Sequence, residues 1–301
     1  MKLIKPSFEI YEQGPGLDGI YEAIERAGRT CYKSKRPEGQ TAKDFVDRMI
    51  ASQHYAMLEH GAVYLKIPVD WELYEEPCLP YRDEIDRYLH NKYSKCYTNE
   101  DYIYLSTNYR VIIENGWEGL LTYLCEPTEH HEKRVTVRFT TDRGVSHEFV
   151  RHRVFSFAQE STRYCNYSKD KFGNEITFIE PSWFSEYDYK GNTYEDIFIT
   201  GLMQAEATYL DLLKKWEDKI PDARYKTGFR NNPWTPQQAR QILPNALKTE
   251  LVMTGFVSDW QHLFRLRTSF IAETGKPHPD MSNLCDPLYK EFISKGYINN
   301  K

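Results

Sequence analysis

Two stretches of this chain read as strands, and they constrain its fold more than any other feature. Ala62-Val63-Tyr64-Leu65-Lys66-Ile67-Pro68 is an apolar run closed by proline. Arg134-Val135-Thr136-Val137-Arg138-Phe139-Thr140 alternates, so its Val and Phe side chains share one face. Around them lie helical stripes: Ile20, Ile24, Ala27 and Cys31 in one, then Phe45, Val46, Met49 and Ile50 in a second. A piece at 109–124 also reads as helix, and another is expected to begin near Ser146 and run into Arg151. Downstream, 176–179 is a short strand candidate, and 197–219 is a long amphipathic helix carrying Leu202, Leu210, Leu213 and Trp216. Thr235, Pro236 and Gln238 then spell a helix start, with Pro244 as an interruption. Two more helical pieces are expected at 246–255 and at about 259–269, the latter with Trp260, Leu263, Phe264 and Arg267 on one face.

Short strands interleaved with helices predict an α+β fold, a largely antiparallel sheet flanked by helices. With 301 residues the chain can bury a large core. The absence of repeats and of an obvious linker favours a single domain over 1–301, with an insertion at about 69–133. That stretch is rich in Tyr, Glu and Asp, with Pro77 and Pro80 near its start.

Composition narrows the function. A net charge of -5 argues against a general nucleic-acid coat, although two or three placed cations suffice to hold a phosphate. None of the six cysteines stands in a C-x-x-C pair, and the nine histidines show no metal-ligand spacing, so no metal site is expected. The first residues carry no long apolar stretch and no segment approaches a membrane span, so a cytoplasmic, reduced protein without membrane attachment is expected.

The densest chemistry lies between Glu148 and Tyr164. Three arginines (Arg151, Arg153 and Arg163), His152, Gln159, Ser156, Ser161 and Thr162 crowd into it. Guanidinium forks match phosphate oxygens, hydroxyls add neutral donors, and an amide can read one edge of a pyrimidine. Arg-His-Arg is more often a solvated face. The interleaved Val150, Val154, Phe155 and Phe157 would instead draw the segment towards the core, where arginines need an anion.

Arg151-His152-Arg153 followed by Ser161 and Arg163 resembles the signature of the flavin-dependent thymidylate synthases, in the branch bearing a glutamine, here Gln159. The resemblance continues at His54-Tyr55-Ala56-Met57-Leu58-Glu59-His60, at Gly28-Arg29-Thr30-Cys31-Tyr32, at Ala239-Arg240-Gln241-Ile242-Leu243-Pro244, and from Asp259 through His262 to Arg267, with His278-Pro279-Asp280-Met281 beyond. It implies methylation of dUMP to dTMP, with 5,10-methylenetetrahydrofolate as carbon donor and FAD reduced by NADPH. It also implies a homotetramer with shared active sites, and no nucleic-acid partner. Arg267 would activate the pyrimidine. Glu148, Arg151, Gln159, Glu160, Ser161, Thr162, Arg163 and Arg240 would join it in holding dUMP. His54, Ala56, Arg151, His152, Arg153, Gln159, Ser258 and His262 would meet FAD. Ala56, Phe256 and Ser258 depart from the family pattern at flavin-contacting positions, and Ala56 cannot offer a side-chain hydrogen bond. Cys165 is the only cysteine near the cluster and reads as structural; the resemblance implies a route without an enzyme nucleophile. Two other readings stay open: a flavin-dependent methylase or hydroxymethylase of another pyrimidine nucleotide, and a non-enzymatic nucleotide- or RNA-binding protein.

Overall fold

A computed structural model describes residues 1–70, 80–184, 193–214, 233–273 and 275–299. Its strands are β1 (Lys2–Ile4), β2 (Ser7–Tyr11), β3 (Ala62–Pro68), β4 (Lys95–Thr98), β5 (Tyr102–Asn108), β6 (Arg134–Asp142), β7 (Ser156–Gln159), β8 (Thr177–Ile179) and β9 (Lys248–Phe256). A three-stranded sheet runs β3-β5-β4, antiparallel throughout, with Ala62 opposite Asn108 and Pro68 opposite Tyr102. A four-stranded sheet runs β2-β6-β9-β7, and its β7–β9 pair is antiparallel from Ser156–Thr254 to Gln159–Leu251. The parallel pair β1–β8 departs from the antiparallel rule. The fold is α+β, as expected from the alternation of elements.

The expected strands at Ala62–Pro68, 134–140 and 176–179 are β3, β6 and β8. The helix expected over 246–255 is instead β9. Its burial explains the misreading: every side chain from Leu251 to Phe256 is buried, so no solvent-facing alternation survives to mark a strand. The piece at 109–124 breaks at Gly116, whose φ of 68° ends the helix Tyr109–Asn115 before the 3-10 turn Glu118–Tyr123. The helix expected from Ser146 into Arg151 spans Arg143–Phe149. Asp142 Oδ1 accepts from the Val145 N–H at 2.9 Å and so fixes its start earlier. The basic tripeptide follows this helix on a turn.

The chain forms two compact units, Met1–Ser7 with Thr140–Phe149 and Glu160–Glu250, and Phe8–Phe139 with Val150–Gln159 and Leu251–Lys301. In the first, Cys165, Ile176, Phe178, Leu202 and Tyr209 form a buried cluster. Leu202 belongs to the helix Thr193–Leu212, and Leu210 and Leu213 pack half-buried against the same cluster; Trp216 lies outside the described residues. In the second, the stripe Ile20 and Ile24 of the helix Gly16–Tyr32 packs with Phe45, Val63, Leu65 and Ile103. Each such aliphatic side chain contributes about 1.5–3 kcal/mol on burial. The stretch 69–133 supplies β4 and β5, and its Ile103, Leu105 and Ile112 are members of that same cluster. Trp260, fully buried in the helix Val257–Arg267, meets Phe155 edge-on at 4.7 Å. A Cβ at position 255 would come within 2.4 Å of that Phe155 ring, so Gly255 is what lets β9 lie against it.

Candidate active site

In the first unit the chemistry starts with a buried carboxylate. Glu160 follows β7, and its N–H donates to the Glu250 carbonyl at 2.8 Å. Its side chain is 2% exposed. Lys248 Nζ donates to Glu160 Oε2 at 2.8 Å and to Glu250 Oε1 at 2.9 Å, and Tyr167 Oη donates to Glu160 Oε1 at 3.0 Å. Burial alone would lower the Lys248 pKa; the two carboxylates outweigh it and hold the ammonium above its ordinary value. Burial, reinforced by Glu160, pushes the Tyr167 phenol up, so it stays protonated and donates.

This sealed network supports an open surface. Ser161, Thr162 and Arg163 form the turn directly after Glu160, closed by the Cys165 N–H to Ser161 carbonyl bond at 2.9 Å. Ser161 Oγ accepts from the Arg163 N–H at 3.3 Å. Arg163 Nε donates to Gln237 Oε1 at 3.1 Å, and Arg240 Nη1 donates to Thr162 Oγ1 at 3.3 Å. Gln237 and Arg240 are presented by the short helix Pro236–Ala239 and the 3-10 turn Arg240–Ile242. The start of that helix is fixed as the sequence implied, Gln238 Oε1 accepting from Thr235 N at 2.9 Å and Oγ1 at 3.0 Å. Arg143 feels the same surroundings. Burial lowers its pKa, Tyr167 and Glu160 raise it, and the charge of Arg240 lowers it further. Glu148 sits half-buried at the end of the helix Arg143–Phe149. Neither Arg163 nor Arg240 forms an ion pair with a described residue; both bond only to neutral side chains.

The second unit arranges its part differently. His152 is buried, and its Nε2 accepts from Arg267 Nε at 3.1 Å, which requires a ring without a proton on that nitrogen. Burial, then the nearby Arg267 and His262, lower the His152 pKa to about 4. Contrary to the expectation that the apolar neighbours carry the whole segment inward, Arg151, Arg153 and Val154 are exposed; of residues 151–155, His152 and Phe155 turn inside. The physical reason is the turn, with the Phe155 N–H bonded to the His152 carbonyl at 3.2 Å, which points alternate side chains apart. Gln159 ends β7, half-buried. Ser258 is exposed in the first turn of the helix Val257–Arg267, its N–H bonded to Glu132 Oε1 at 3.1 Å, and His262 is exposed on the same helix.

His54 and Ala56 line a cleft of about 470 Å³ whose walls include Phe45, Met49, Tyr55 and Met57. A second cleft of the same unit, of about 520 Å³, includes Arg153, Arg134 and Phe256; Arg110 lines both. The His60 ring lies in the core, Nδ1 bonded to Thr254 Oγ1 at 2.8 Å, and burial with the nearby Arg134 lowers its pKa to about 3. Cys165 is fully buried.

The residues that sequence reasoning passed over are Arg143, Tyr167, Gln237 and Lys248. Gln237 had a signal, since a helix start so clearly capped presents its first turn. The other three stand in no motif: Lys248 reaches Glu160 across 88 positions, and Tyr167, seven positions from Glu160, is one tyrosine among many.

The sequence matches the model of the family described as "Thymidylate synthase complementing protein" over residues 81–294, and the chain belongs to this family, that of the flavin-dependent thymidylate synthases. The flavin-dependent thymidylate synthase of Mycobacterium tuberculosis (strain ATCC 25618 / H37Rv) is 32% identical over 127 residues, 42% of this chain and 46% of that protein. The one from Mycobacterium marinum (strain ATCC BAA-535 / M) is 31% identical over the same extent. The chain thus spans 46% of the length of the curated relatives it matches. Among solved structures, the UMP/dUMP methylase PolB from Streptomyces cacaoi bound with 5-Br dUMP aligns with 98% of this chain and 93% of its own, at 13% identity and a TM-score of 0.43. No helix of the described residues is long and apolar enough to cross a membrane.

Proposed function

We propose that this chain methylates dUMP to dTMP, taking the carbon from 5,10-methylenetetrahydrofolate. The observation that carries the reading is the pair Arg163 and Arg240, two guanidinium groups on turns linked through Gln237 and Thr162 and bonded only to neutral partners, with the Ser161 hydroxyl holding the Arg163 backbone N–H. Such groups are ready for the phosphate of a nucleotide, and a phosphate bound there needs no carboxylate displaced. Family membership supplies the rest of the reaction.

Arg267 would stabilise the negative charge that develops at N3 and O2 of the pyrimidine, a fixed electrostatic contribution. Its neutral partner His152 orients the guanidinium without cancelling its charge. Glu148, Arg151, Gln159, Glu160 and Thr162 complete the proposed dUMP set. Of these, Glu160 would act by holding the Ser161–Arg163 turn, since both its carboxylate oxygens are already engaged inside the protein.

FAD fits the residues present. The cleft bearing His54 and Ala56 has the aromatic and thioether walls that a flat, largely apolar ring system requires, and the exposed Arg151 and Arg153 can face its phosphates. His152, Gln159, Ser258 and His262 are the remaining residues proposed to meet it. When bound, reduced FAD supplies the hydride, with NADPH as its reductant. A homotetramer with shared sites and a cytoplasmic location belong to the same proposal, as does the reading of 69–133 as an insertion in a single family domain.

Release of tritium from dUMP labelled at carbon 5, measured with the folate and NADPH, tests the proposal. The expected outcome is release that falls about 100-fold or more in Arg267→Ala. Unchanged release in that variant removes Arg267 from the chemistry. Release from labelled UMP but not dUMP would move the activity to another pyrimidine nucleotide. A colourless protein that shifts RNA would favour the binding-protein reading.

A further inference from the structure

The cleft of about 520 Å³ in the second unit is rimmed by five cations, Lys92, Lys95, Arg110, Arg134 and Arg153, against three carboxylates, Glu59, Glu114 and Asp259. The carboxylates are largely spent. Arg110 takes Glu59 at 2.7 Å and Glu114 at 2.8 Å, and Asp259 accepts from the Phe256 N–H at 3.1 Å. Among the described residues, none of Lys92, Lys95, Arg134 and Arg153 makes a salt bridge. Arg134 donates only to the Glu59 carbonyl, at 3.2 Å, and lies over the Phe256 ring at 4.8 Å; Lys95 faces the same ring at 5.8 Å. Four cations gathered on one concave surface repel one another, and each loses part of its hydration there. A bound anion of more than one charge relieves both costs.

The occupant's class follows from the lining. A single phosphate would leave most of the cleft's volume and its rings, Tyr93, Phe155 and Phe256, without contact. A nucleotide diphosphate supplies the charge and also a flat base for an aromatic face. We propose that this cleft binds the adenosine diphosphate moiety of a dinucleotide, with Lys92 and Lys95 as phosphate ligands. Both lysines belong to the stretch 69–133, which thereby contributes to ligand binding. FAD and NADPH share this moiety. The inference rests on the flavin reading above only in the choice between them.

Calorimetric titration of the whole chain, freed of bound nucleotide, with ADP decides the matter. ADP is expected to bind, more weakly as salt rises. Lys92→Gln with Lys95→Gln is expected to weaken it about tenfold or more, whereas Lys92→Arg with Lys95→Arg retains it. Thermal unfolding of both variants is expected to match that of the parent, since the lysines support no described ion pair. Absence of ADP binding, or equal affinity in the glutamine variant, overturns the proposal. Titrations with FAD, riboflavin and NADPH then separate the two hypotheses. FAD weakened by the glutamines with riboflavin unmoved supports the cleft as the flavin cofactor's diphosphate site. Lysine-dependent binding of ADP and NADPH with no binding of either flavin sustains the cleft and sinks the flavin reading.

Discussion

The two units differ in what they bury beside their proposed ligand groups. In the first, the groups taken out of water close on one another: Lys248, Glu160, Glu250 and Tyr167 satisfy each other at 2.8–3.0 Å. Its exposed arginines, Arg163 and Arg240, are left with neutral partners. The second unit also pairs a buried carboxylate, Glu25 with Arg29 and Arg36, but at its proposed site end two buried histidines carry no charge. His60 and His152 both sit inside as neutral rings, one against Thr254 and one against Arg267. The difference teaches where a ligand's charge can be accepted at least cost. A sealed network has no spare valence, while an exposed guanidinium keeps its water until an anion replaces it.

The largest effect should come from opening the sealed network. Lys248→Met leaves Glu160 buried without its cation and is expected to lower stability by about 3–5 kcal/mol. Adding Glu160→Gln should recover much of that loss, because the uncompensated charge is gone. Urea unfolding of both variants measures it. A loss under about 1 kcal/mol in the single variant would mean that water reaches Glu160 and that the contrast between the units fails.

The exposed arginines should behave in the reverse sense. Arg163→Ala and Arg240→Ala are each expected to weaken dUMP binding about tenfold while moving stability by less than about 0.5 kcal/mol. Deoxyuridine, which lacks the phosphate, should bind the parent and both variants alike. If deoxyuridine weakens in step with dUMP, the arginines shape the turn and do not hold phosphate.

Acid sharpens the second unit's side of the comparison. His60 is held at about 3 and His152 at about 4, both below the ordinary 6.5. The unfolded chain therefore takes up protons below pH 6.5 that the folded chain refuses, so stability is full above that pH and declines as pH falls towards those values. Each histidine contributes about 1 kcal/mol of the loss by pH 5.5. His152→Gln should remove its share of the slope, measured by urea unfolding at pH 7 and 5.5; an unchanged slope would place the titration elsewhere.

How much of this could be read from the sequence depends on the range of the interaction. Strands β3 and β6 and the Thr235–Gln238 start were legible because alternation and capping are local. The misread stretch 246–255 became β9 through burial on both faces, which a single sequence does not display. The site divides in the same way. Ser161, Arg163 and Arg240 stand in recognisable motifs, but Lys248 meets Glu160 across 88 positions, and Arg163 meets Gln237 across 74. Burial of Glu160, in turn, makes a motif residue a support for the turn, a distinction that only packing reveals.

The smallest expected effect tests whether that support extends to the neighbouring helix. Pro236–Ala239 is one turn long, too short to hold itself by internal bonds. Its geometry depends on Gln238 Oε1 taking the Thr235 N–H and hydroxyl. Gln238→Ala removes both bonds at an exposed place, where the loss should be about 1 kcal/mol or less. Because that helix presents Gln237 to Arg163 and leads directly into Arg240, the same change should weaken dUMP by a few-fold and leave deoxyuridine alone. Paired titrations of the two ligands check it. A variant that loses the stability but keeps full dUMP affinity would show that Arg163 and Arg240 hold their positions through Thr162 and the Glu160 turn, independently of the cap.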